Sequence, residues 1–211
     1  MESYKRLLAF NDRWAAERVA ERPDYFSRLA GAHRPEYLWI GCSDARVPAE
    51  TITGCEPGDL FVHRNVANLV VHTDVNLGAV LHFALDVLEV PHVIVCGHYG
   101  CGGVKAAMER RSYGDVVNKW LRKVKEVHHQ HTPSLEAIQD RDLRARRLVE
   151  LNVVQQVKEL ARNSVVQAIW RREGRPWLHG WVYDMETGRI SELVLLRPED
   201  LPDDVFRFED D

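Results

Sequence analysis

The sequence has few cysteines, no long apolar run and no surplus of basic residues. Four cysteines in 211 residues are too few for a disulfide scaffold. No stretch approaches the ~20 apolar residues that a membrane-spanning helix needs, and residues 1–10 lack the apolar core of a signal peptide. A formal net charge of −4 argues against nucleic acid or an anionic membrane as a partner. We therefore expect a cytoplasmic protein whose thiols stay reduced.

The chain also lacks a Cys-x-x-Cys pair, internal repeats, low-complexity segments and linkers. Without Cys-x-x-Cys, a thiol-redox enzyme is disfavoured. With 45% hydrophobic and 28% charged residues, the composition is that of an ordinary globular protein with a sizeable core. We predict a single domain over residues 1–211.

Residues 1–33 form a distinct N-terminal stretch. Apolar side chains recur there at helical spacing and are interrupted by Pro23, which predicts an arm of two helices. A lone arm offers little for the bulky side chains of Phe10, Trp14 and Phe26 to pack on. This indicates a second subunit.

The remainder of the chain predicts an α/β fold. Apolar runs at 37–42, 60–64 and 92–96 indicate core strands, with an amphipathic helix at 75–88 between the second and the third. That order is typical of a parallel sheet with crossover helices. Later segments predict helices at about 103–111, 115–129, 140–161 and after 163, and then a hairpin of strands at 177–183 and 190–196. We expect a mostly parallel central sheet of about four strands plus an antiparallel edge strand, with helices on both faces.

Potential metal ligands follow two of the predicted strands. Cys42 ends the first strand and Asp44 comes two residues later, while His98 and Cys101 lie in the glycine-rich turn after the third strand. Taken singly, each is more often a structural residue. In an open parallel sheet, however, loops at the carboxyl ends of neighbouring strands converge. Two thiolates, an imidazole and a carboxylate are a suitable set for a tetrahedral zinc ion.

These motifs resemble those of one enzyme family. Cys-Ser-Asp-Ala-Arg at 42–46, together with His-Tyr-Gly-Cys-Gly-Gly at 98–103, is similar to the β-class carbonic anhydrases, and the similarity covers nearly the whole chain. The resemblance implies an enzyme that interconverts carbon dioxide and bicarbonate with one Zn²⁺ per subunit. It further implies a homodimer or homotetramer, Cys42, His98 and Cys101 as permanent ligands, and Asp44 with Arg46 as the catalytic dyad.

Asp44 has two possible partners in such a site. It can close the fourth position on the metal, or it can pair with Arg46 and leave that position to water. Because two thiolates cancel the charge of Zn²⁺, this centre should be a weaker Lewis acid than a three-histidine centre. We hypothesise that Asp44 binds zinc at lower pH and Arg46 at higher pH, so that activity rises with pH.

The resemblance also implies residues that bind substrate. Phe61 and Val66 would form an apolar wall around carbon dioxide, with Phe83 supplied from a second subunit, although ordinary core packing would also explain all three. The Gly102 N–H would donate to a bicarbonate oxygen. His33 stands where many relatives carry glutamine, which leaves its role open.

A second anion site is implied by three further residues. Trp39, Arg64 and Tyr183 resemble the trio with which a bicarbonate-regulated, type II-like subset of the family binds a non-catalytic bicarbonate that stabilises the closed state. Arginine can hold such an anion through two donors, and the indole and phenol add directional ones. The structural alternative is two core aromatics and an ion-pairing arginine.

The same residues are also compatible with two other functions. One is a hydrolase of carbonyl sulfide or carbon disulfide, because the same site could attack any linear heterocumulene. The other is a non-catalytic zinc protein that senses bicarbonate, with Asp44 held on the metal. Cys55 and Cys96 are expected to be inert thiols, since neither has a histidine at ligand spacing.

Overall fold

The structure, a computed structural model, describes residues 2–31 and 34–208. His33 lies outside the described residues. The chain divides into two compact units, Met1–Arg34 and Pro35–Asp211. None of the helices in the described ranges is long and apolar enough to cross a membrane.

The first unit consists of two helices, α1 (Ser3–Glu21) and α2 (Tyr25–Leu29). The ring of Trp14 meets the rings of Tyr25 and Phe26 edge-on, with centroids 6.2 and 5.6 Å apart. No residue of α1 is buried, and Leu7 is 72% exposed. The predicted two-helix arm is confirmed, and its long helix presents apolar side chains to the surface.

The second unit is built on one five-stranded sheet. Its strands are β1 (Tyr37–Cys42), β2 (Leu60–Asn65), β3 (His92–His98), β4 (Trp177–Asp184) and β5 (Arg189–Leu196). Their order across the sheet is β2-β1-β3-β4-β5, with β5 antiparallel to β4 and all other pairs parallel. The mostly parallel sheet with an antiparallel edge strand is confirmed.

Seven helices accompany the strands in the described part of this unit: α3 (Ala49–Thr53), α4 (Val75–His82), α5 (Gly102–Ala107), α6 (Asp115–Gln130), α7 (Thr132–Glu136), α8 (Arg141–Ala161) and α9 (Ser164–Glu173). Asp74 caps α4, because its carboxylate accepts from the Asn76 N–H. The helix predicted over 75–88 changes to a π-helical turn over Phe83–Val87. Helices α3 and α7 were not predicted, since five residues are too few to show a helical period.

The sheet is covered on one face by α8. A Cβ on Gly97 would lie 2.6 Å from Val153 Cγ2, and one on Gly180 would lie 3.0 Å from Val157 Cγ2. Glycine at these two positions therefore lets α8 approach β3 and β4 closely. On the opposite face, Trp39 and its neighbours pack against Ala49 of α3.

Candidate metal centre

The three predicted cysteine and histidine ligands lie at one end of the sheet. Cys42 is the last residue of β1, and His98 is the last residue of β3. These strands are neighbours, and Gly41 pairs in register with Cys96. The chain then turns through Gly100, which has a φ of 74°, and reaches Cys101. Since β2 and β3 lie on opposite sides of β1, this is a point where the strand order reverses, the usual position of a ligand site in such sheets.

The side chains of Cys42, His98 and Cys101 converge. Their ligand atoms all lie within 4.8 Å of one another. The two sulfur atoms are 3.8 Å apart, which is the separation expected for two ligands at about 2.3 Å from a tetrahedral zinc ion. The three residues are 7%, 0% and 1% exposed. This cluster is the one group of three or more potential ligands found among residues 2–31 and 34–208.

His98 presents one ring nitrogen to the cluster. Its Nδ1 lies 3.1 Å from the Tyr99 carbonyl oxygen, so Nδ1 carries the hydrogen and donates it. The other nitrogen, Nε2, is buried and has no hydrogen-bond partner among the described residues. A buried nitrogen with a free lone pair is costly unless a ligand uses it. The residues therefore fit a metal ion.

The two thiols titrate as a pair. A hydrogen bond from Cys101 lowers the pKa of the Cys42 thiol, and the same bond, together with burial, raises the pKa of Cys101. The proximity of the two sulfurs therefore favours a thiolate at Cys42. Thiolates are the form in which cysteine binds zinc.

Asp44 and Arg46 form a closed ion pair beside this cluster. Arg46 Nε and Nη2 donate to the two carboxylate oxygens of Asp44 at 2.9 and 2.7 Å, and the Arg46 backbone N–H donates at 3.0 Å. The guanidinium holds the pKa of the Asp44 carboxyl well below its usual range. Asp44 Oδ2 is 3.7 Å from His98 Nε2. Asp44 is therefore paired with Arg46 and lies at the edge of the ligand cluster.

Known proteins resemble this chain in sequence and in fold. A family model described as carbonic anhydrase matches residues 37–190. A carbonic anhydrase of Emericella nidulans is 40% identical over 202 residues, which are 96% of this chain and 88% of the relative. The structure of a tetrameric β-carbonic anhydrase from Sordaria macrospora matches with a TM-score of 0.88 at 40% identity, over 93% of this chain and 100% of that one. This chain belongs to the β-class carbonic anhydrases. A Coccomyxa β-carbonic anhydrase in complex with acetazolamide matches with a TM-score of 0.87 at 38% identity, over 93% of this chain and 88% of that one.

Arg64 of this carbonic anhydrase contacts the loop that carries the dyad. Its Nε donates to the Cys42 carbonyl at 2.9 Å, and its Nη2 donates to the Asp44 carbonyl. Trp39 and Tyr183 belong to one apolar cluster on the sheet face opposite α8. Arg64 thus acts as a clamp on the loop that carries Asp44 and Arg46.

The structure separates the residues predicted to form the apolar wall. Val66 follows β2 at the level of Cys42, and a Cβ on Gly103 would lie 2.9 Å from Val66 Cγ1. Phe61 instead pairs with Leu38, four residues before Cys42, which is about 13 Å along a strand. The ring of Phe83 stacks on Phe61 at 5.8 Å. Within one chain, only Val66 of these three lies near the metal ligands.

Gly102 lies beside the ligand cluster. It is the first residue of α5 and is exposed. The N–H of a first helical residue has no acceptor within its helix, so it is free to bind an oxygen.

Sequence reasoning missed two buried amides that support the site. Gln156 Oε1 accepts from the Val70 N–H at 2.8 Å, and Gln156 Nε2 donates to Asn152 Oδ1 at 3.0 Å. Asn152 Nδ2 donates in turn to the Ala67 carbonyl at 3.1 Å. This network ties residues 67–70 to α8. Two amides four residues apart on the apolar face of a predicted helix were a signal that could have identified them.

Tyr99 was also missed, because a tyrosine beside a ligand has no distinctive spacing. Its hydroxyl donates to Glu150 Oε1 at 2.8 Å. Burial and this carboxylate raise the pKa of Tyr99 to about 12, so the hydroxyl stays protonated.

Proposed function

We propose that the protein catalyses the reversible hydration of carbon dioxide to bicarbonate with one zinc ion per subunit. The observation that carries this proposal is the unpartnered His98 Nε2, which faces two sulfur atoms 3.8 Å apart, with the Asp44–Arg46 pair beside it. Membership of the carbonic anhydrase family supports the same activity.

Cys42, His98 and Cys101 would hold the metal, and the two thiolates would offset its charge. When bound, zinc supplies a Lewis acid that makes water a nucleophile near neutral pH. In the reaction, the water oxygen bonds to the carbon of carbon dioxide, one C=O π pair moves to oxygen, and a proton leaves to solvent. The protein's part is to place these groups and to stabilise the charge that forms.

Asp44 orients the attacking water in this proposal. Its carboxylate is ionised, fixed by three donors from Arg46, and can only accept hydrogen bonds. An acceptor at this position directs one water proton towards itself and a lone pair towards the substrate carbon. Arg46 acts by holding this orientation.

We further propose that Asp44 exchanges between Arg46 and the metal. A carboxylate on the metal would exclude water from it, so the exchange would switch activity on at higher pH. Wild type should then show a steep rise in hydration rate between about pH 6.5 and 9. A flat profile, or an unchanged profile in Asp44→Asn, would exclude the switch.

The substrate would enter between two subunits. Val66 is 44% exposed and Phe83 is 46% exposed. Phe61 lies far along the sheet from the ligands of its own chain, and Phe83 stacks on Phe61. We propose that Phe61 and Phe83 of one subunit complete the apolar wall of its partner, with Gly102 donating to bicarbonate. A homo-oligomer agrees with the tetrameric Sordaria relative. The choice between dimer and tetramer, and the cytoplasmic location, stay predictions.

Bicarbonate regulation would act through Arg64. An anion bound by Trp39, Arg64 and Tyr183 would compete with the Cys42 and Asp44 carbonyls for the guanidinium, and so loosen the loop that carries the dyad. Bicarbonate titrations of wild type, Arg64→Ala and Tyr183→Phe test this. Tyr183→Phe is informative because it leaves the clamp on the carbonyls intact. Equal sensitivity in all three proteins would refute the proposal.

The activity itself is tested by stopped-flow hydration of carbon dioxide at pH 8.5 with zinc-loaded protein. We expect turnover in wild type and loss of zinc and activity in Cys42→Ser. Carbonyl sulfide and carbon disulfide serve as competing substrates, and faster turnover of either would reassign the enzyme. A complete absence of oxygen-isotope exchange between carbon dioxide and water would favour a non-catalytic zinc protein.

A further inference from the structure

Both backbone polar groups of Tyr99, its N–H and its carbonyl, make hydrogen bonds beside the ligand His98. Its N–H donates to the Tyr183 carbonyl at 3.0 Å, which continues the pairing of β3 with β4. Its carbonyl accepts from His98 Nδ1 at 3.1 Å. The direction of the imidazole therefore depends on the orientation of the Tyr99–Gly100 peptide plane.

Gly100 does little to fix that plane. Its φ of 74° lies in the left-handed region that glycine enters freely, and a glycine restrains the neighbouring peptide less than any other residue. The orientation of this peptide plane must therefore be fixed by Tyr99.

The side chain of Tyr99 is held at two points on α8. Its hydroxyl donates to Glu150 Oε1 at 2.8 Å, and the Arg146 guanidinium lies over its ring, 3.7 Å from the centroid. Both partners are themselves fixed. Glu150 Oε2 accepts from Arg147 at 2.8 Å, and Arg146 donates to Asp184 Oδ2 at 3.0 Å. The ring is thus held by two residues of α8, one of which is also anchored to Asp184 at the end of β4.

We propose that Tyr99 is a positioning residue whose clamped side chain fixes the carbonyl that orients His98, and that it thereby strengthens zinc binding. This inference rests on the proposed zinc function. It assigns a role to Glu150 and Arg146, which touch neither metal nor substrate. Mutation of a residue that fixes a ligating histidine typically weakens metal binding by about 10- to 100-fold.

The test compares zinc transfer from the loaded proteins to a chelator of known affinity. In Tyr99→Phe, the ring stays under Arg146 but the hydroxyl bond to Glu150 is lost, and we expect about tenfold weaker zinc binding. Glu150→Ala should behave in the same way, whereas Glu150→Gln keeps an acceptor and should stay close to wild type. The cobalt-substituted Tyr99→Phe protein should also show shifted visible absorption bands.

The matched control is Tyr113→Phe. Tyr113 donates its hydroxyl to Glu109 Oε2 at 2.6 Å on the exposed surface, so the same chemical change is made away from the ligands. Wild-type zinc affinity and cobalt spectrum in Tyr99→Phe would overturn the proposal, even if its melting temperature fell. Equal weakening in Tyr113→Phe would do the same. Because the readout is zinc affinity, it separates this inference from the proposed function, whose failure would appear as zinc-loaded wild type without hydration activity.

Discussion

Arg46 binds both carboxylate oxygens of Asp44, at 2.9 and 2.7 Å. The guanidinium lowers the pKa of Asp44. A carboxyl whose pKa is depressed by folding adds stability above its unfolded pKa of about 3.9, and loses it only as the pH falls towards the lower folded value. Between pH 5 and 9 the pair therefore stays ionised. Protonation of Asp44 therefore cannot cause a pH dependence of activity in that range. Such a dependence must come from another titrating group.

The first prediction concerns the geometry of this pair. Arg46→Lys keeps the positive charge but loses the planar fork that holds two oxygens at once. Because lysine cannot bind both carboxylate oxygens, and only the backbone N–H would still hold Oδ1, Asp44 would be less well oriented. We expect kcat/KM for carbon dioxide hydration to fall by about 100-fold at pH 8.5. Stopped-flow kinetics measure it.

The control for this prediction is Arg122→Lys. Arg122 makes an exposed ion pair with Glu126 at 3.5 Å on α6, so it tests the same substitution outside the site. It should keep wild-type kinetics. If Arg46→Lys also kept them, the bidentate contact would not matter for activity.

The second prediction concerns the close approach of α8 to β3. A Cβ on Gly97 would lie 2.6 Å from Val153, so Gly97→Ala forces the helix or the strand to shift. We expect it to lower the free energy of unfolding by about 1–3 kcal/mol. Gly78→Ala is the matched control, because Gly78 is exposed in α4 and a Cβ there meets nothing within 4 Å. It should raise stability by roughly 0.5–1 kcal/mol. Urea unfolding measures the free energy of unfolding of both variants. An unchanged value in Gly97→Ala would contradict the packing argument.

The sheet and the metal ligands could be predicted from the sequence because each leaves a local pattern. Strand-length apolar runs end at Cys42 and near His98, and parallel pairing then brings their carboxyl ends together. The order β2-β1-β3 places the two motifs on neighbouring strands, which confirms the predicted convergence.

The contacts between distant segments could not be predicted in this way. The clamp of Arg64 on the Cys42 carbonyl depends on the register of β1 with β2, and Tyr99 meets Glu150 only because α8 crosses the sheet at glycine positions. The register also fixes the position of Phe61, which pairs with Leu38, four residues before Cys42. Such contacts join residues far apart in the chain and leave no periodic signal.

The third prediction concerns the buried amide network. Gln156→Met keeps the size of the side chain but leaves the Val70 N–H and Asn152 Oδ1 without their partner. Unpaired buried polar groups cost about 1–3 kcal/mol, and we expect a loss of stability in that range. Gln155→Met, one residue away and half-buried, should cost less, since solvent can replace its contact with Glu159. Equal losses in the two variants would show that the network adds nothing beyond helix packing.

The last prediction concerns His92 and His179, whose rings meet on β3 and β4 with Nδ1 of the first 3.1 Å from Nε2 of the second. One proton lies between them. Tyr37 and Trp177 pack against His92, and Glu192 Oε2 lies 3.6 Å from His179 Nδ1. Burial lowers the pKa of both histidines, and the charge of His92 lowers that of His179 further, against the opposing effect of Glu36 and Glu192. The pair is therefore neutral when folded near pH 7.

The sign of the stability change follows from this shift. The unfolded histidines, with a pKa of about 6.5, take up protons as the pH falls, while the folded pair resists them. The pair's contribution is therefore complete above that pH and declines below it. We expect the unfolding free energy of wild type to fall from pH 7.5 to pH 5, and the double variant His92→Gln, His179→Gln to show a shallower slope. Urea unfolding at fixed zinc concentration measures both. The difference between the slopes removes the effect of thiol protonation, which the two proteins share. Parallel slopes would mean that the folded pair takes up protons as readily as the unfolded chain, and that burial does not keep it neutral.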